Sequence, residues 1–405
     1  MSTFSQPLPD ATEPMKLAIL SSRFWPCSGS DDLALSDLAQ ALTGQGHEVE
    51  VITPGWSTSS PASFRFRNFN VLRTYRSPST PWGGSRYQKN LIRYLNQNPV
   101  DSLIFFNAFS EFTSLAKLFS GKTMLVVRLH DHALLPLFGQ TEAKKNRQAN
   151  LLKLADRVLV ESESTFQMLE ASGLPAHKLE IVCEGILPPE PPPVELSSQT
   201  VARQAIGESH GMLGVNPNQP LLVCGAQMNG DSGVLDLIQA WEIVLSQLPT
   251  AKLWVVSQGT QSKKVWDAIV SKQMIDSVVM PGQFDSLDDV FRAADAYLHP
   301  LRGSATCSML TRAMMAGLCP IVTEPIAASL DLTDGLNVNI AMPNNAQSLA
   351  DAIVKTIQDP TRRTQIGLAA TDWALDRFHI SQTVNHYLAD LSPDKSTSSE
   401  SHSGN

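Results

Sequence analysis

The chain lacks the long apolar run that would carry it across a membrane. None of its apolar stretches approaches the roughly 18 residues that a spanning helix needs. The N-terminus also lacks a basic segment followed by an apolar block, so we expect no secretory signal. Basic residues are outnumbered, with 31 Lys and Arg against 39 Asp and Glu, and the net charge of −8 argues against a nucleic-acid-binding protein.

Cysteine is scarce and scattered. The five cysteines form no C-x-x-C pair, and they are Cys27, Cys183, Cys224, Cys307 and Cys319. An odd number without the spacing of a disulfide framework indicates reduced thiols. Together with the missing signal segment, this predicts a cytoplasmic protein.

Length and composition predict two domains between polar tails. The 405 residues exceed what one core ordinarily supports, and 42% hydrophobic with 17% charged residues is usual for a globular protein. Residues 1–14 and 393–405 are polar and show no hydrophobic period, so we expect both to be disordered. Leu187–Val194, L-P-P-E-P-P-P-V, is a stiff extended stretch that predicts an interdomain linker.

Short apolar strands alternate with helical stretches on both sides of this linker. The predicted strands are Lys16–Ser21, Glu48–Thr53, Ser102–Phe106, Met124–Leu129, Arg157–Glu161, Leu179–Val182, Pro220–Cys224, Lys252–Ser257, Ser277–Met280, Asp295–Leu298 and Ile321–Thr323. The predicted helices are Leu33–Gln45, Arg86–Asn96, Glu163–Ser172 and Leu235–Leu245. Such alternation implies parallel sheets covered by helices on both faces. We therefore predict an α/β protein with two doubly wound, Rossmann-like domains facing across a cleft.

Several blocks of sequence resemble the family-4 retaining glycosyltransferases, also called glycosyl transferases group 1. Met15–Pro54 joins a strand, a glycine-bearing loop and a helix to G-H-E-V-E-V-I-T, and Ala155–Gly185 contains A-D-R-V-L-V-E-S. Ser304–Pro320 reads S-A-T-C-S-M-L-T-R-A-M-M-A-G-L-C-P and is similar to the E-x(7)-E region of that family. The blocks follow the family order from Met15 to Leu391, so the resemblance implies the GT-B fold.

The resemblance also implies the division of the chain. It predicts an N-terminal, acceptor-side domain over 15–188, a linker over 189–196 and a C-terminal, donor-side domain over 197–370. A last helix over about 371–391 is expected to pack back on the N-terminal domain, as in the family.

The activity implied by the resemblance is the transfer of a sugar from a nucleotide-diphosphate sugar to a lipid, polysaccharide or other glycan acceptor, without a cofactor or metal. A weak peripheral membrane contact is left open by Phe64–Trp82, which interleaves arginines with aromatic residues. A β-hairpin with solvated arginines is the interpretation that we prefer for this stretch.

Carried onto this sequence, the resemblance gives one candidate catalytic residue and six candidate donor-binding residues. His130 ends a predicted strand and corresponds to a family histidine that contacts the donor sugar, so we expect it to line the cleft. The candidate donor-binding residues are Gly29, Gly225, Gly233, Ser304, Arg302 and Arg312. A leaving diphosphate needs cations or amides near its growing charge, and the two arginines could bind phosphate bidentately.

Four departures fall on charged positions of the family motifs. The family's arginine and lysine after the first strand of the second domain are Ala226 and Ser232 here, and its two glutamates are Ser304 and Arg312. The alternative hypothesis is therefore a degenerate GT-B protein that binds a ligand or partner without catalysis. A third hypothesis, an epimerase of the same fold, needs a carboxylate pair in the cleft, and we find no such pair in the sequence.

Overall fold

The computed structural model describes residues 13–25, 30–55, 61–75, 83–131, 142–189, 199–226, 228–230, 232–282, 284, 286–303 and 308–388. The chain divides into two compact units. The first contains Met1–Cys27, Asp31–Gly185 and the segment from Ile380 onward, and the second contains Ser28–Ser30 and Ile186–His379. Most of the predicted linker and of both predicted tails lies outside the described residues.

An eight-stranded sheet forms the centre of the first unit. Its strands are β1 (Lys16–Leu20), β2 (Glu48–Gly55), β3 (Ser63–Phe66), β4 (Phe69–Tyr75), β5 (Ser102–Phe106), β6 (Met124–Arg128), β7 (Arg157–Val160) and β8 (Leu179–Ile181). They lie in the order β3-β4-β2-β1-β5-β6-β7-β8, and neighbours are parallel except for β3 with β4. The central strands β1 and β5 are almost entirely buried, as is usual for parallel strands with helices on both faces.

Among the described residues, five helices accompany these strands before the chain enters the second unit. They are α1 (Ser30–Gly44), α2 (Gly83–Gln97), α3 (Phe109–Phe119), α4 (Glu142–Leu152) and α5 (Glu163–Ala171), with a short 3₁₀ helix at Ala176–Lys178. The last of them begins at a capped end, because the Ser162 hydroxyl accepts a hydrogen bond from the Thr165 N–H. This cap stabilises the start of α5 directly after β7.

The second unit contains a six-stranded sheet that is parallel throughout. Its strands are β9 (Leu221–Cys224), β10 (Lys252–Val255), β11 (Val278–Val279), β12 (Ala296–His299), β13 (Cys319–Thr323) and β14 (Asn339–Ala341). They lie in the order β11-β10-β9-β12-β13-β14. The helices are α6 (Gln199–Ser209), α7 (Val234–Gln247), α8 (Ser262–Ser271), α9 (Asp288–Ala293), α10 (Ser308–Met315), α11 (Glu324–Ser329), α12 (Ala346–Gln358) and α13 (Pro360–Phe378), with a 3₁₀ helix at Gly211–Leu213.

The predicted doubly wound α/β architecture is confirmed in both units. In each sheet the strand order changes direction at one place, between β1 and β5 in the first unit and between β9 and β12 in the second. Ligands of such folds bind outside the carboxyl ends of the strands at this switch point. A ligand site is therefore expected among the residues that follow β5, β9 and β12.

The end of the chain differs from the prediction. Instead of one helix over about 371–391, α13 ends at Phe378 and a separate helix, α14 (Ile380–Leu388), follows it. The break occurs because His379 adopts an extended conformation and forms a β-bridge with Ile186. Of the two helices, α14 alone groups with the first unit.

Side-chain contacts attach α14 within the first unit. The Thr383 hydroxyl donates to the Cys183 carbonyl at 3.1 Å, and Arg157 donates to the His386 carbonyl at 2.6 Å. Glu180 completes the attachment by pairing with both Arg157 and His386. Burial, followed by the nearby charges of Arg157 and Arg128, lowers the pKa of His386.

The predicted hairpin is present as β3 and β4, but its arginines are not all solvated. Arg65 and Arg67 are exposed, whereas Arg73 is buried. The Arg73 guanidinium lies 4.6 Å from the centroid of the Phe64 ring and donates to the Trp25 carbonyl at 2.7 Å. The expectation of solvated arginines is therefore wrong for Arg73, whose charge is shielded by aromatic rings. No described helix is long and apolar enough to cross a membrane.

Replacing Gly185 with alanine tests the packing of α14. A Cβ at this position would lie 2.2 Å from Thr383 Oγ1 and 2.9 Å from the Ile380 Cα, so α14 must move. We expect Gly185→Ala to lower the free energy of unfolding by about 1–3 kcal/mol in urea denaturation. Gly44→Ala is the control, because its Cβ would meet nothing within 4 Å. Equal stabilities of the two variants would contradict the contact.

Candidate functional site

A histidine and a carboxylate meet at the carboxyl ends of β6 and β7. His130 Nδ1 lies 2.7 Å from Glu161 Oε1, and the other carboxylate oxygen accepts the Asp131 N–H at 2.9 Å. Arg128 Nη2 lies 3.6 Å from the same Oε1 atom. Both oxygens of Glu161 are therefore held in place, and the predicted catalytic residue has a fixed acidic partner.

The surroundings fix the His130 ring as well. Its side chain is 1% exposed, and the Phe106 ring packs edge-on against it with centroids 5.1 Å apart. His130, Phe106 and Arg128 line a small cavity together with residues of α1 and α14. A ring that is enclosed in this way has little freedom to turn away from Glu161.

Glu161 is ionised over the whole physiological range of pH. Burial by itself would raise the pKa of its carboxyl, but the hydrogen bond and charge of His130, the Asp131 N–H and the Arg128 guanidinium together lower this pKa to about 2. Arg128 is itself 2% exposed and donates to the Val182 carbonyl at 2.8 Å. The result is a buried, charge-paired cluster at the strand ends.

A second polar contact lies at the switch point of the first unit. Asn107 directly follows β5 and adopts a left-handed conformation with φ of 53°, which is uncommon for a residue other than glycine. Its side-chain amide donates to Asp31 Oδ2 at 2.7 Å, in the first turn of α1. Backbone strain of this kind is concentrated at functional sites, so Asn107 and Asp31 join the candidate residues of this unit.

In the second unit two glycines lie close to neighbouring groups at the switch point. A Cβ at Gly225, directly after β9, would lie 2.7 Å from the Tyr297 hydroxyl, so the group that it would meet belongs to a side chain. Gly233 has φ of +62° and caps the start of α7, and a Cβ there would lie 1.7 Å from the Pro300 carbonyl oxygen. Gly233 is therefore required by the backbone, and the ligand role of both glycines stays a prediction.

The two positions at which the resemblance expects cations are closed. Ala226 is fully buried, and its carbonyl accepts a hydrogen bond from Ser257 Oγ at 2.5 Å. Ser232 is 2% exposed, and its hydroxyl accepts the Val234 N–H at 3.4 Å. Neither side chain can supply charge to a ligand.

The two candidate arginines have different surroundings. Arg302 lies after β12 and binds Asp236 bidentately, with its Nε and Nη2 atoms 2.9 and 2.7 Å from the two carboxylate oxygens. Arg312 lies in the last turn of α10 and is half-buried. Gly29 and Ser304, the remaining candidates, lie outside the described residues. Among the described residues, no group of three or more His, Cys, Asp and Glu side chains is arranged to hold a metal ion.

Sequence reasoning passed over His299, the last residue of β12. It is fully buried, and neither ring nitrogen has a hydrogen-bond partner among the described residues. Burial lowers the pKa of His299 to about 4, so its ring is neutral at pH 7. The sequence does contain a signal for this residue, because a histidine ends the otherwise apolar strand A-Y-L-H.

An open depression of about 740 Å³ follows β10 and β11 in the same unit. Gln258, Gly259, Thr260 and Met280 form part of its wall. Gly259 is required there, because a Cβ would lie 2.2 Å from the Met228 carbonyl oxygen. The depression adds an accessible, mostly apolar surface to the carboxyl edge of the second sheet.

Two family models match the chain. Residues 34–188 match the model described as Glycosyltransferase Family 4, and residues 219–359 match the model described as Glycosyl transferases group 1. The lipopolysaccharide glucosyltransferase WaaG of Escherichia coli (strain K12) is 22% identical in an alignment of 369 positions that covers 86% of this chain and 90% of that protein.

Solved structures share the fold. Anabaena Alr3699/HepE in complex with UDP and glucose has a TM-score of 0.66 at 17% identity, covering 94% of this chain and all of that chain. Sucrose-phosphate synthase from Thermosynechococcus elongatus has a TM-score of 0.67 at 15% identity, covering 92% of this chain and 97% of that chain. At these identities the likeness concerns the fold, and the predicted GT-B fold is confirmed.

Stability in acid tests the charge cluster around Glu161. Because the pKa of this carboxyl falls from 4.5 unfolded to about 2 folded, its contribution to stability is complete above pH 5 and is lost as the pH falls towards 2. The full contribution is at most about 3 kcal/mol. In Glu161→Gln we expect a flatter decline of the free energy of unfolding between pH 5 and 2, measured by urea denaturation. An acid decline as steep in the variant as in the wild type would contradict the assignment.

Proposed function

We propose that this chain, which carries both domains of the family-4, group 1 glycosyltransferases on a GT-B fold, transfers a sugar from a nucleotide-diphosphate sugar to a lipid, polysaccharide or other glycan acceptor. The observation that carries the proposal is the presence of both family domains, in order, over most of the chain. UDP-glucose is the first donor to test, because one relative is a lipopolysaccharide glucosyltransferase and structures of another contain UDP and glucose.

The carboxyl edge of the second sheet supports a donor site. Gly225 and Gly233 keep side chains away from the backbone at the switch point, and α7 begins there with N–H groups that an anion can approach. The depression after β10 and β11 has a volume and a mostly apolar lining that would suit the base of a donor nucleotide. Backbone N–H groups and one arginine would then stabilise the negative charge of the leaving diphosphate.

Arg302 is the best candidate for that cation. Asp236 fixes its guanidinium on the first turn of α7, close in sequence to Gly233, and Arg302 remains partly exposed. Asp236 also offsets part of its charge, and Ala226 and Ser232 supply none. We therefore expect the diphosphate to be bound more weakly than by a site with two unpaired cations.

His130 is the group proposed to contact the donor sugar from the first unit. Glu161 holds its ring, and Phe106 limits the ring's rotation. A contact with fixed geometry accelerates sugar transfer when it stabilises the strained, charge-separated transition state more than the bound substrate.

A degenerate protein that binds without catalysis is the second candidate. The closed positions of Ala226 and Ser232 favour it, because the second unit has lost the two charges that would stabilise a leaving diphosphate. This candidate predicts nucleotide binding without turnover.

Measuring nucleotide-sugar binding and turnover together distinguishes the active transferase from the degenerate binding protein. We expect UDP-glucose to raise the melting temperature more than ADP-glucose, and to be consumed in the presence of a glycan-lipid acceptor. His130→Ala should lower turnover at least tenfold, the equivalent of about 1.4 kcal/mol, because the sugar loses a fixed contact. The exposed His177→Ala is the control. Binding without turnover in the wild type would favour the degenerate protein instead.

The role of Arg302 in phosphate binding can be tested with a matched control variant in the same unit. Arg302→Ala should weaken the binding of UDP, measured by calorimetry, by more than about tenfold, because a charge-assisted contact is lost. Arg292→Ala removes another arginine that pairs with an aspartate, Asp289, on α9 and should leave the affinity unchanged. Equal affinities of both variants and the wild type would exclude Arg302 from the phosphate site.

A further inference from the structure

We propose that Glu161 is a positioning residue that fixes His130 in the tautomer with the proton on Nδ1, so that Nε2 is a hydrogen-bond acceptor. The tautomer follows from contacts within the first unit, and the role of Nε2 rests on the proposed function. An acceptor nitrogen suits a hydroxyl, the group that sugars present most, and does not suit a phosphate oxygen.

Strand register brings the two residues together. In the pairing of β6 with β7, Val126 lies opposite Arg157 and Arg128 opposite Leu159. The Leu129 N–H continues this ladder by donating to the Leu159 carbonyl at 2.9 Å. Two further steps along the same register bring His130 beside Glu161. The contact is therefore set by the backbone of two adjacent parallel strands.

The carboxylate cannot turn away from the ring. Its Oε2 atom accepts the Asp131 N–H at 2.9 Å, and its Oε1 atom lies 2.7 Å from His130 Nδ1 and 3.6 Å from Arg128 Nη2. Asp131 is in turn fixed, because its Oδ1 atom accepts the Thr165 hydroxyl at 2.7 Å, near the capped start of α5. A rotation of the Glu161 carboxylate would break these contacts together.

The proton position follows from the chemistry of the pair. An ionised carboxylate has no hydrogen to donate, so a 2.7 Å contact requires the hydrogen to be on Nδ1 of the imidazole. Since the pKa of Glu161 is lowered to about 2, the carboxylate is ionised at neutral pH. In neutral His130 the other nitrogen, Nε2, then carries the lone pair.

Glu161→Gln should reverse the tautomer. The Asp131 N–H needs an acceptor at 2.9 Å, so the amide oxygen of Gln is expected to face it, which turns the NH₂ group towards His130. Arg128 opposes this orientation, but at 3.6 Å its contact is the longer one. The NH₂ group would donate to Nδ1, and the proton would move to Nε2. An amide in place of the carboxylate partner has this effect in Ser-His-Asp triads.

The test is ¹⁵N NMR of the ligand-free, histidine-labelled full chain, which reports the tautomer directly. We expect a protonated Nδ1 at His130 in the wild type and a protonated Nε2 in Glu161→Gln, with His130→Ala identifying the signals. The control is Glu163→Gln, which replaces the neighbouring carboxylate on α5 that accepts from Gln167, and its His130 signals should not move. A protonated Nε2 in the wild type, or an unchanged tautomer in Glu161→Gln, would overturn the proposal.

Turnover then connects the tautomer to function. Glu161→Gln should lower the turnover of UDP-glucose at least about tenfold, and the double variant with His130→Ala should be no slower than His130→Ala alone. Additive losses would mean that Glu161 does not act through His130. A wild type that binds no nucleotide sugar would refute the proposed function, while the NMR result would still decide the role of Glu161.

Discussion

The candidate site of the first unit depends on the parallel register of β6 and β7. This register sets His130 beside Glu161, and the short contact between them determines where the imidazole proton lies. Arg128 and the Asp131 N–H contact the same carboxylate. Three residues at the end of β6, namely Arg128, His130 and Asp131, therefore all contact Glu161. The site consequently lies directly at the ends of two paired strands, whose register sets the positions of its side chains.

The second unit distributes charge differently. The positions at which the resemblance expects cations hold the buried residues Ala226 and Ser232, and Arg302 is paired with Asp236. Under the proposed function, an anion there would be stabilised by N–H groups and by an arginine that already has a partner.

Strand–helix alternation predicted most strands of both sheets, although it missed the edge strand β14, and the family resemblance selected Gly225 and Gly233. The partners of the functional side chains were not predictable. Glu161 and His130 are 31 residues apart, and Arg302 and Asp236 are 66 apart, so strand register and packing alone bring each pair together. Arg73 was misjudged for a related reason, because its burial depends on Trp25 and Phe64 from two other segments.

The return of α14 to the first unit has a consequence for how the protein is made. Ribosomes release residues in order, and the second unit, Ile186–His379, is complete before Thr383 and His386 emerge. The first unit cannot close its contacts to Cys183 and Arg157 until then. The half of the protein that is synthesised first is therefore the half that finishes folding last, and a nascent chain stalled before residue 380 would carry one finished unit and one open one.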